Sequence, residues 1–359
     1  MRPATEEGLA ELVREARAPL RIVGGGTRSI GHASGERIET GGLSGIRLYE
    51  PGALTLVAGA GTVLAEVEEV LGREGQRLPF EVPDLRGLLG REGSSTLGGV
   101  VAANASGPRR IQAGACRDSL IGVRFVDGTG TVIRNGGRVM KNVTGYDLVK
   151  LMAGSHGTLG VLTEVAFKLL PVPEAETTLA LAGLSAGQAV AAMSAALGSP
   201  FEVSGAAHWP GRGTFLRIEG FAASVEYRAG RLSALLSDFA AVERVESPWP
   251  AIRDVMPFHG RDGDVWRLSV KPSDAPGLAA RIGGELLFDW GGGLIWALVE
   301  PGTDLRARVA PFAGHATRLR GSDTRIPAFQ PEPPPLAAIA AGLRAKFDPR
   351  GLFNPGLMA

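Results

Sequence analysis

Apolar positions mark out the elements before any motif is needed. Between residues 3 and 17, Leu9, Leu12, Val13 and Ala16 recur at helical spacing among Glu and Arg, which predicts an amphipathic helix ended by Pro19. The runs 20–23 and 54–58 are short and unbroken, and each opens into glycines, as buried strands entering turns do. A helical pattern follows over 63–74. Residues 121–127 and 131–134 flank Gly128-Thr129-Gly130 and predict a hairpin. A short helix over 147–152 and a strand over 161–169 come next, closed by Pro171 and Pro173. Beyond them helix-like and strand-like runs alternate, at 186–197, 214–220, 225–236 and 293–300, and all five tryptophans lie in this stretch. Pro331-Glu332-Pro333-Pro334-Pro335 reads as a stiff connector before a last helix over 336–347. No repeat is visible. The pattern divides the chain into 1–172, 173–320 and a tail, 321–359.

Composition narrows the classes. At 359 residues with 44% hydrophobic positions, the chain can fill more than one core. Its net charge of +1 gives no reason to expect a nucleic-acid binder. Cys116 is the single cysteine, so neither a disulfide framework nor a Cys-rich zinc or iron–sulfur site fits within the chain. No run reaches the ~18 uncharged apolar residues of a membrane span. Glu6, Glu7, Glu11 and Glu15 interrupt the N-terminal region where a secretory signal would be apolar. A cytoplasmic protein is the expectation.

Three glycine-rich clusters carry the candidate chemistry. In Gly24-Gly25-Gly26-Thr27-Arg28-Ser29, consecutive glycines let backbone N–H groups converge on an anion, and hydroxyls can add donors. A ligand-free tight turn would look the same. The spacing is neither G-x-G-x-x-G nor that of a P-loop, and Gly59-Ala60-Gly61 reads as a plain strand–helix turn. The second cluster runs from Gly93 to Gly107 and contains Ser94, Thr96, Gly98, Gly99, Ala103 and Asn104, small residues that let backbone approach a ligand closely. A helix with a glycine-rich entrance is the simpler alternative. The third spans Lys141-Asn142-Val143-Thr144-Gly145-Tyr146-Asp147 and Gly154-Ser155-His156-Gly157-Thr158-Leu159-Gly160-Val161. Two clusters about 70 residues apart favour one large phosphate-bearing ligand gripped in two places.

Taken in order, these clusters resemble the FAD-binding domain of the vanillyl-alcohol oxidase-type (PCMH-type) flavoproteins over residues 1–172. The short chain and the tail Phe347-Asp348-Pro349-Arg350-Gly351-Leu352-Phe353-Asn354-Pro355-Gly356 resemble, within that superfamily, the FAD-binding subunits of glycolate oxidase complexes. The resemblance implies an α+β fold: a PCMH-type FAD-binding domain of two subdomains with FAD between them, and an α+β cap domain. It implies that Gly24, Gly25, Gly26, Thr27, Arg28 and Ser29 form a pyrophosphate loop, and that Pro83 and Asp84 lie on the approach to the flavin. It places Gly93, Ser94, Thr96, Gly98, Gly99, Ala103, Asn104 and Gly107 in a second FAD-contacting segment. Asp118 matches a polar position near a strand start. Gly157, Thr158, Gly160 and Val161 match a segment near the adenosine half, and Asn354 and Pro355 would sit by the isoalloxazine edge. Where relatives tether FAD through His or Cys, this chain has Gly26 or Thr27, and Ser94, which implies noncovalent FAD. The implied partners are a larger flavoprotein subunit and an iron–sulfur subunit, with a small 2-hydroxy acid as substrate, no nucleic acid and no direct membrane insertion. Peripheral association with the inner membrane would come through partners.

His156 departs from the Glu usual in that position, and a structural or surface role is expected. Cys116 is expected to be a small buried residue. In the cap, His208, His259 and His315 are too far apart in sequence to suggest a metal site, and no catalytic residue or metal ligand is assigned. Arg318 and Arg320 are the candidates for a carboxylate clamp. Tyr146 would pack beside the flavin or touch it. The alternatives are a self-sufficient FAD-dependent 2-hydroxy-acid dehydrogenase and a non-catalytic assembly subunit.

Overall fold

A computed structural model describes residues 1–137 and 145–358. Lys141, Asn142, Val143 and Thr144 of the third cluster therefore lie outside the described residues. The helix Glu6–Glu15 is capped by Thr5, whose hydroxyl accepts the Gly8 N–H, and buries Leu9, Ala10 and Val13. It packs with a parallel pair of short strands, Leu20–Val23 and Glu36–Glu39. The tail returns to this layer. Phe353 bridges Leu20, and Leu352 and Phe353 enter the same core. Arg350 fastens the tail by donating to the carbonyls of Val13 and Gly128.

Beside this layer stands a five-stranded antiparallel sheet in the order Ile46–Glu50, Thr55–Gly59, Val161–Lys168, Leu120–Val126, Val132–Gly136. The hairpin across Gly128–Gly130 is its far edge. The helices Leu64–Arg73 and Leu97–Ala102 cover one face and fill a core with Leu56, Val67, Val100 and Phe167.

The second lobe is built on eight strands in the order Val242–Val245, Ala175–Leu181, Gly213–Gly220, Val203–Trp209, Glu285–Asp289, Leu294–Val299, Asp264–Val270, Gly314–Arg320. Its neighbouring strands are all antiparallel, and alternation sends successive side chains to opposite faces. One face is closed by the helices Ala186–Leu197, Ala222–Leu236 and Ala275–Ile282. The other carries Phe215, Leu287, Trp296 and Leu298 and is covered by Trp249, Phe258, Trp290 and, from the first lobe, Leu85 and Leu88.

Several element boundaries depart from the sequence reading. Leu54 sits in the left-handed region, so its strand begins at Thr55. The last helix starts at Pro334, not Leu336. Prolines are accepted in a first helical turn because its N–H groups need no helical partner. The strands Glu36–Glu39 and Ile46–Glu50 had no signal, being short and mostly polar.

Candidate cofactor site

A cavity of about 420 Å³ opens between the parallel pair and the five-stranded sheet. Its walls come from the loop after Leu20–Val23, from Thr96 and the helix it caps, from the 155–162 turn, and from the returning tail. Four arginines line it, Arg21, Arg28, Arg37 and Arg91, together with His32 and His156, and no carboxylate among the described residues does. Arg28 is its innermost charge. Its guanidinium donates to the Pro83 carbonyl at 2.7 Å and to the Ser95 hydroxyl at 2.5 Å, while its buried Nε has no protein partner among the described residues. Burial pulls its pKa down to about 10. The group stays cationic at neutral pH and favours an anion beside it.

The glycine loop shapes the wall. Gly26, at φ +73°, would carry a Cβ with nothing within 4 Å. Gly25 and Gly24 meet protein instead: a Cβ on Gly25 would lie 1.6 Å from the Ser94 carbonyl oxygen, and one on Gly24 would lie 2.5 Å from the Thr96 hydroxyl. The first two clusters are therefore pressed together. Gly98 is a correction to close approach by a ligand. Its missing Cβ faces Ala60 at 2.9 Å, and its N–H donates to the Ala60 carbonyl at 2.7 Å, so strand packing requires the glycine. Gly99 has only the Thr96 hydroxyl in its way, at 3.4 Å.

Of the sequence-selected positions, Gly24, Gly25, Gly26, Thr27, Arg28, Ser29, Thr96, Gly98, Gly99, Ala103, Gly157, Gly160 and Asn354 line the cavity. The others do not. Pro83 acts through its carbonyl on Arg28, and Gly93 and Ser94 back the Gly25 turn. Asp84 is paired with Arg86 and lies off the wall. Asn104 accepts from the Arg117 N–H, Asp118 accepts from the Ala115 N–H and so closes its own turn, and Thr158 donates to the Ser155 carbonyl. Val161 is core. Gly107 belongs to the contact between lobes, where its carbonyl accepts from the Trp290 indole at 3.0 Å.

Asn354 lines the cavity, yet its amide is spent on protein. It accepts from the Ile22 N–H at 2.8 Å and donates to the His156 carbonyl at 2.9 Å, which ties tail, strand and turn together. His156 is neither a surface residue nor remote. It forms part of the cavity wall in a left-handed conformation, edge-on to Phe329, and burial lowers its pKa to about 4. It is neutral at physiological pH. Ile22, Arg21, Arg37, Arg91, Ser155 and Leu162 also line the cavity. Their positions depend on pairing and turn geometry that no local motif announces. Tyr146 is 88% exposed and not among the lining residues, so it neither packs nor reaches the cavity. Cys116 is fully buried, and burial pushes its thiol pKa up.

In the cap, His208 pairs with the Thr214 hydroxyl and His259 with the Asp254 carbonyl. No cluster of three or more His, Cys, Asp or Glu forms among the described residues. Arg318 and Arg320 are not a carboxylate clamp. Arg318 donates to the carbonyls of Asp323 and Ile326, and Arg320 to those of Leu88, Phe258 and Arg261. Both guanidiniums are engaged in joining loops, and the remaining Arg318 Nη1 lies 3.5 Å from the Asp264 carboxylate.

The fold and this arginine-lined, acid-free cavity define a PCMH-type FAD-binding flavoprotein, and residues 1–136 match the FAD binding domain family. The donor set fits the cofactor: backbone N–H groups and guanidiniums suit a pyrophosphate. Glycolate oxidase subunit GlcE of Escherichia coli (strain K12) is 37% identical over 360 residues, 98% of this chain and 97% of the relative. This chain belongs to that family. Glycolate oxidase subunit GlcD of Bacillus subtilis (strain 168) is 47% identical over 85 residues, 24% of this chain and 18% of the relative. Alkyldihydroxyacetonephosphate synthase, a solved structure, shares the fold with a TM-score of 0.72 at 18% identity, covering 99% of this chain and 75% of that one.

Proposed function

We propose that this chain is the FAD-binding subunit of a glycolate oxidase complex, which oxidises glycolate to glyoxylate. The observation that carries the reading is end-to-end similarity to a glycolate oxidase subunit, joined to a cavity whose charge suits FAD. When bound, FAD supplies hydride acceptance. The chain's own residues bind and orient. Arg28, held by Pro83 and Ser95, would offer a fixed cation to the pyrophosphate, and Asn354 and His156 hold the turn that forms part of the wall. Attachment is noncovalent, because Gly26, Thr27 and Ser94 offer no tethering nucleophile of the His or Cys type. Acid precipitation should release all the flavin.

The partners are a larger flavoprotein subunit and an iron–sulfur subunit. A surface helix supports an assembly. Pro334–Phe347 contains no buried residue, and Leu336 and Ile339 stand more than half exposed. A 14-residue helix gains little stability alone in water and is normally held by packing of an apolar face. The larger flavoprotein subunit is the occupant we assign to it. Ile339→Asp should weaken co-purification with that subunit and leave FAD content unchanged.

The test of function is anaerobic titration of FAD-loaded protein with glycolate, with and without the larger subunit. Slow bleaching alone and fast bleaching in the complex are expected. Fast bleaching by the isolated chain would favour a self-sufficient dehydrogenase, and a protein that stays colourless with FAD would favour an assembly role.

A further inference from the structure

The cofactor cavity takes part of its wall from far along the chain. No described residue between 163 and 353 lines it, so the second lobe does not cover it, whereas Asn354 and Leu357 of the returning tail do line it. The tail arrives as an extra strand. Leu20–Val23 has Glu36–Glu39 on one edge. On the other, the Leu20 N–H donates to the Leu352 carbonyl at 2.7 Å and the Asn354 N–H donates to the Leu20 carbonyl at 2.9 Å. There the backbone ladder stops, because Asn354 turns away at φ +45°, a conformation that asparagine tolerates better than most residues. Its side chain continues the ladder. The Ile22 N–H donates to Asn354 Oδ1 at 2.8 Å, in the role that a strand carbonyl would fill.

The other end of this buried amide crosses to the second layer. Nδ2 donates to the His156 carbonyl at 2.9 Å and lies 3.4 Å from that of Gly157. The His156 N–H in turn donates to the Ala102 carbonyl at 2.9 Å, at the end of the helix Leu97–Ala102. The two layers have separate cores, Leu20, Ile38 and Phe353 in one and Leu97 and Val100 in the other, so the amide links two walls of the cavity. Gly157 leaves it room, since a Cβ there would lie 2.9 Å from Nδ2. Leu352 and Phe353 are anchored in their core, so the tail has a fixed part up to Phe353 and a polar clamp beyond it. Both ends of the amide are engaged by protein. The closed clamp therefore spends its hydrogen bonds on the walls, and opening it costs the same whether FAD is bound or absent.

We propose that Asn354 is a positioning residue that gates the cofactor cavity: by bridging its two walls it sets how fast FAD enters and leaves, without setting how tightly FAD is held. The inference goes beyond the proposed function and requires only that the cavity take FAD. An opening step that does not discriminate between loaded and empty protein changes both rates by one factor and leaves the dissociation constant in place.

Stopped-flow flavin fluorescence would follow uptake by the FAD-free full chain, and transfer to an excess of a second FAD-binding protein would follow release. Asn354→Gly accepts the positive φ and deletes the bridge. It should speed uptake and release by about tenfold each, the scale of one or two buried hydrogen bonds, and move the dissociation constant by less than about threefold. Unchanged rates with a lower melting temperature would make Asn354 merely structural. Unchanged uptake with faster release would make it a FAD contact. Either result overturns the proposal. Native-state hydrogen exchange supplies a readout that needs no variant. In the FAD-free chain the Ile22 N–H, held by the side chain, should exchange at least about tenfold faster than the Leu20 N–H, which is held by backbone beside the Phe353 core. Equal exchange would mean that the whole tail opens as one piece, which also overturns the proposal. None of these measurements involves turnover, so failure of glycolate to bleach the flavin in the complex would count against the proposed function alone.

Discussion

The cofactor cavity and the buried ion network between the lobes are both built on arginine, with opposite charge balance. In the cavity Arg21, Arg28, Arg37 and Arg91 share the wall with no carboxylate among the described lining residues, and of the four only Arg37 has an ion pair, with Glu39 outside the wall. In the network, Arg217 and Arg109 from opposite lobes meet Glu81 and Glu219, with Arg77 at the edge. The Glu219 carboxyl is held far below its ordinary pKa because its guanidinium neighbours outweigh burial. Spare positive charge marks where a ligand belongs, and matched charge marks where protein meets protein. The largest predicted effect tests the matched side. Arg217→Met should destabilise the protein by about 3–5 kcal/mol, because it takes both guanidinium hydrogen bonds from the Glu81 carboxylate, while Glu219 keeps Arg109 and Arg77. Chemical denaturation would measure it, and a loss below about 1 kcal/mol would mean that the network does not join the lobes.

A second effect comes from a buried carboxyl that this network does not neutralise. Asp289 has a folded pKa near 7, above its ordinary value of 3.8, so the folded state holds a proton that the unfolded chain releases. Stability should therefore fall as pH rises from about 4 to 7 and level off above, by on the order of 4 kcal/mol. Asp289→Asn should flatten that slope in melting curves taken across the range. A slope that survives the substitution would place its source elsewhere.

The same contrast explains what was legible in the sequence. Glycine clusters announce themselves, because backbone approach and positive φ leave a compositional trace. Thus 24–29 and 93–107 suggested one large phosphate-bearing ligand unaided, and the resemblance added Gly157, Thr158, Gly160, Val161 and Asn354; of these, Gly93, Ser94, Asn104, Gly107, Thr158 and Val161 lie off the cavity wall. The hairpin and the long strands were readable for a similar reason, their apolar periodicity. What escaped depends on pairs distant in sequence. Arg109 and Glu219 are 110 residues apart, and neither is remarkable locally. Arg318 and Arg320 looked like a clamp only because the carbonyls that hold them come from loops. His156 looked incidental because its burial is created by Phe329 and the returning tail.

On the ligand side, Gly99→Leu should sharpen the comparison. Only the Thr96 hydroxyl constrains a Cβ there, so the fold accepts the side chain, and a helical position gains propensity from it. The side chain would project into the cavity. FAD affinity should fall on the order of a hundredfold, about 2.7 kcal/mol, with an unchanged or higher melting temperature. Gly98→Leu should instead lose both, since it collides with Ala60.

The smallest effect separates two duties of one hydroxyl. Thr96 is buried, lines the cavity, and caps its helix by accepting the Gly99 N–H at 3.4 Å. The same oxygen occupies the space that a Cβ on Gly24 would need. Thr96→Ala removes the cap at a cost of about 1 kcal/mol and leaves room beside Gly24. If the hydroxyl serves only the helix, FAD affinity should move by no more than this loss implies, and Thr96→Ser should restore stability and affinity together. If it also donates to the cofactor, Thr96→Ala should weaken FAD further than it weakens the fold. Paired measurement of melting temperature and flavin dissociation in the two variants distinguishes the outcomes. We expect the second, because the cap bond is long and the hydroxyl hydrogen is free to turn toward an anion in a cavity with no carboxylate of its own.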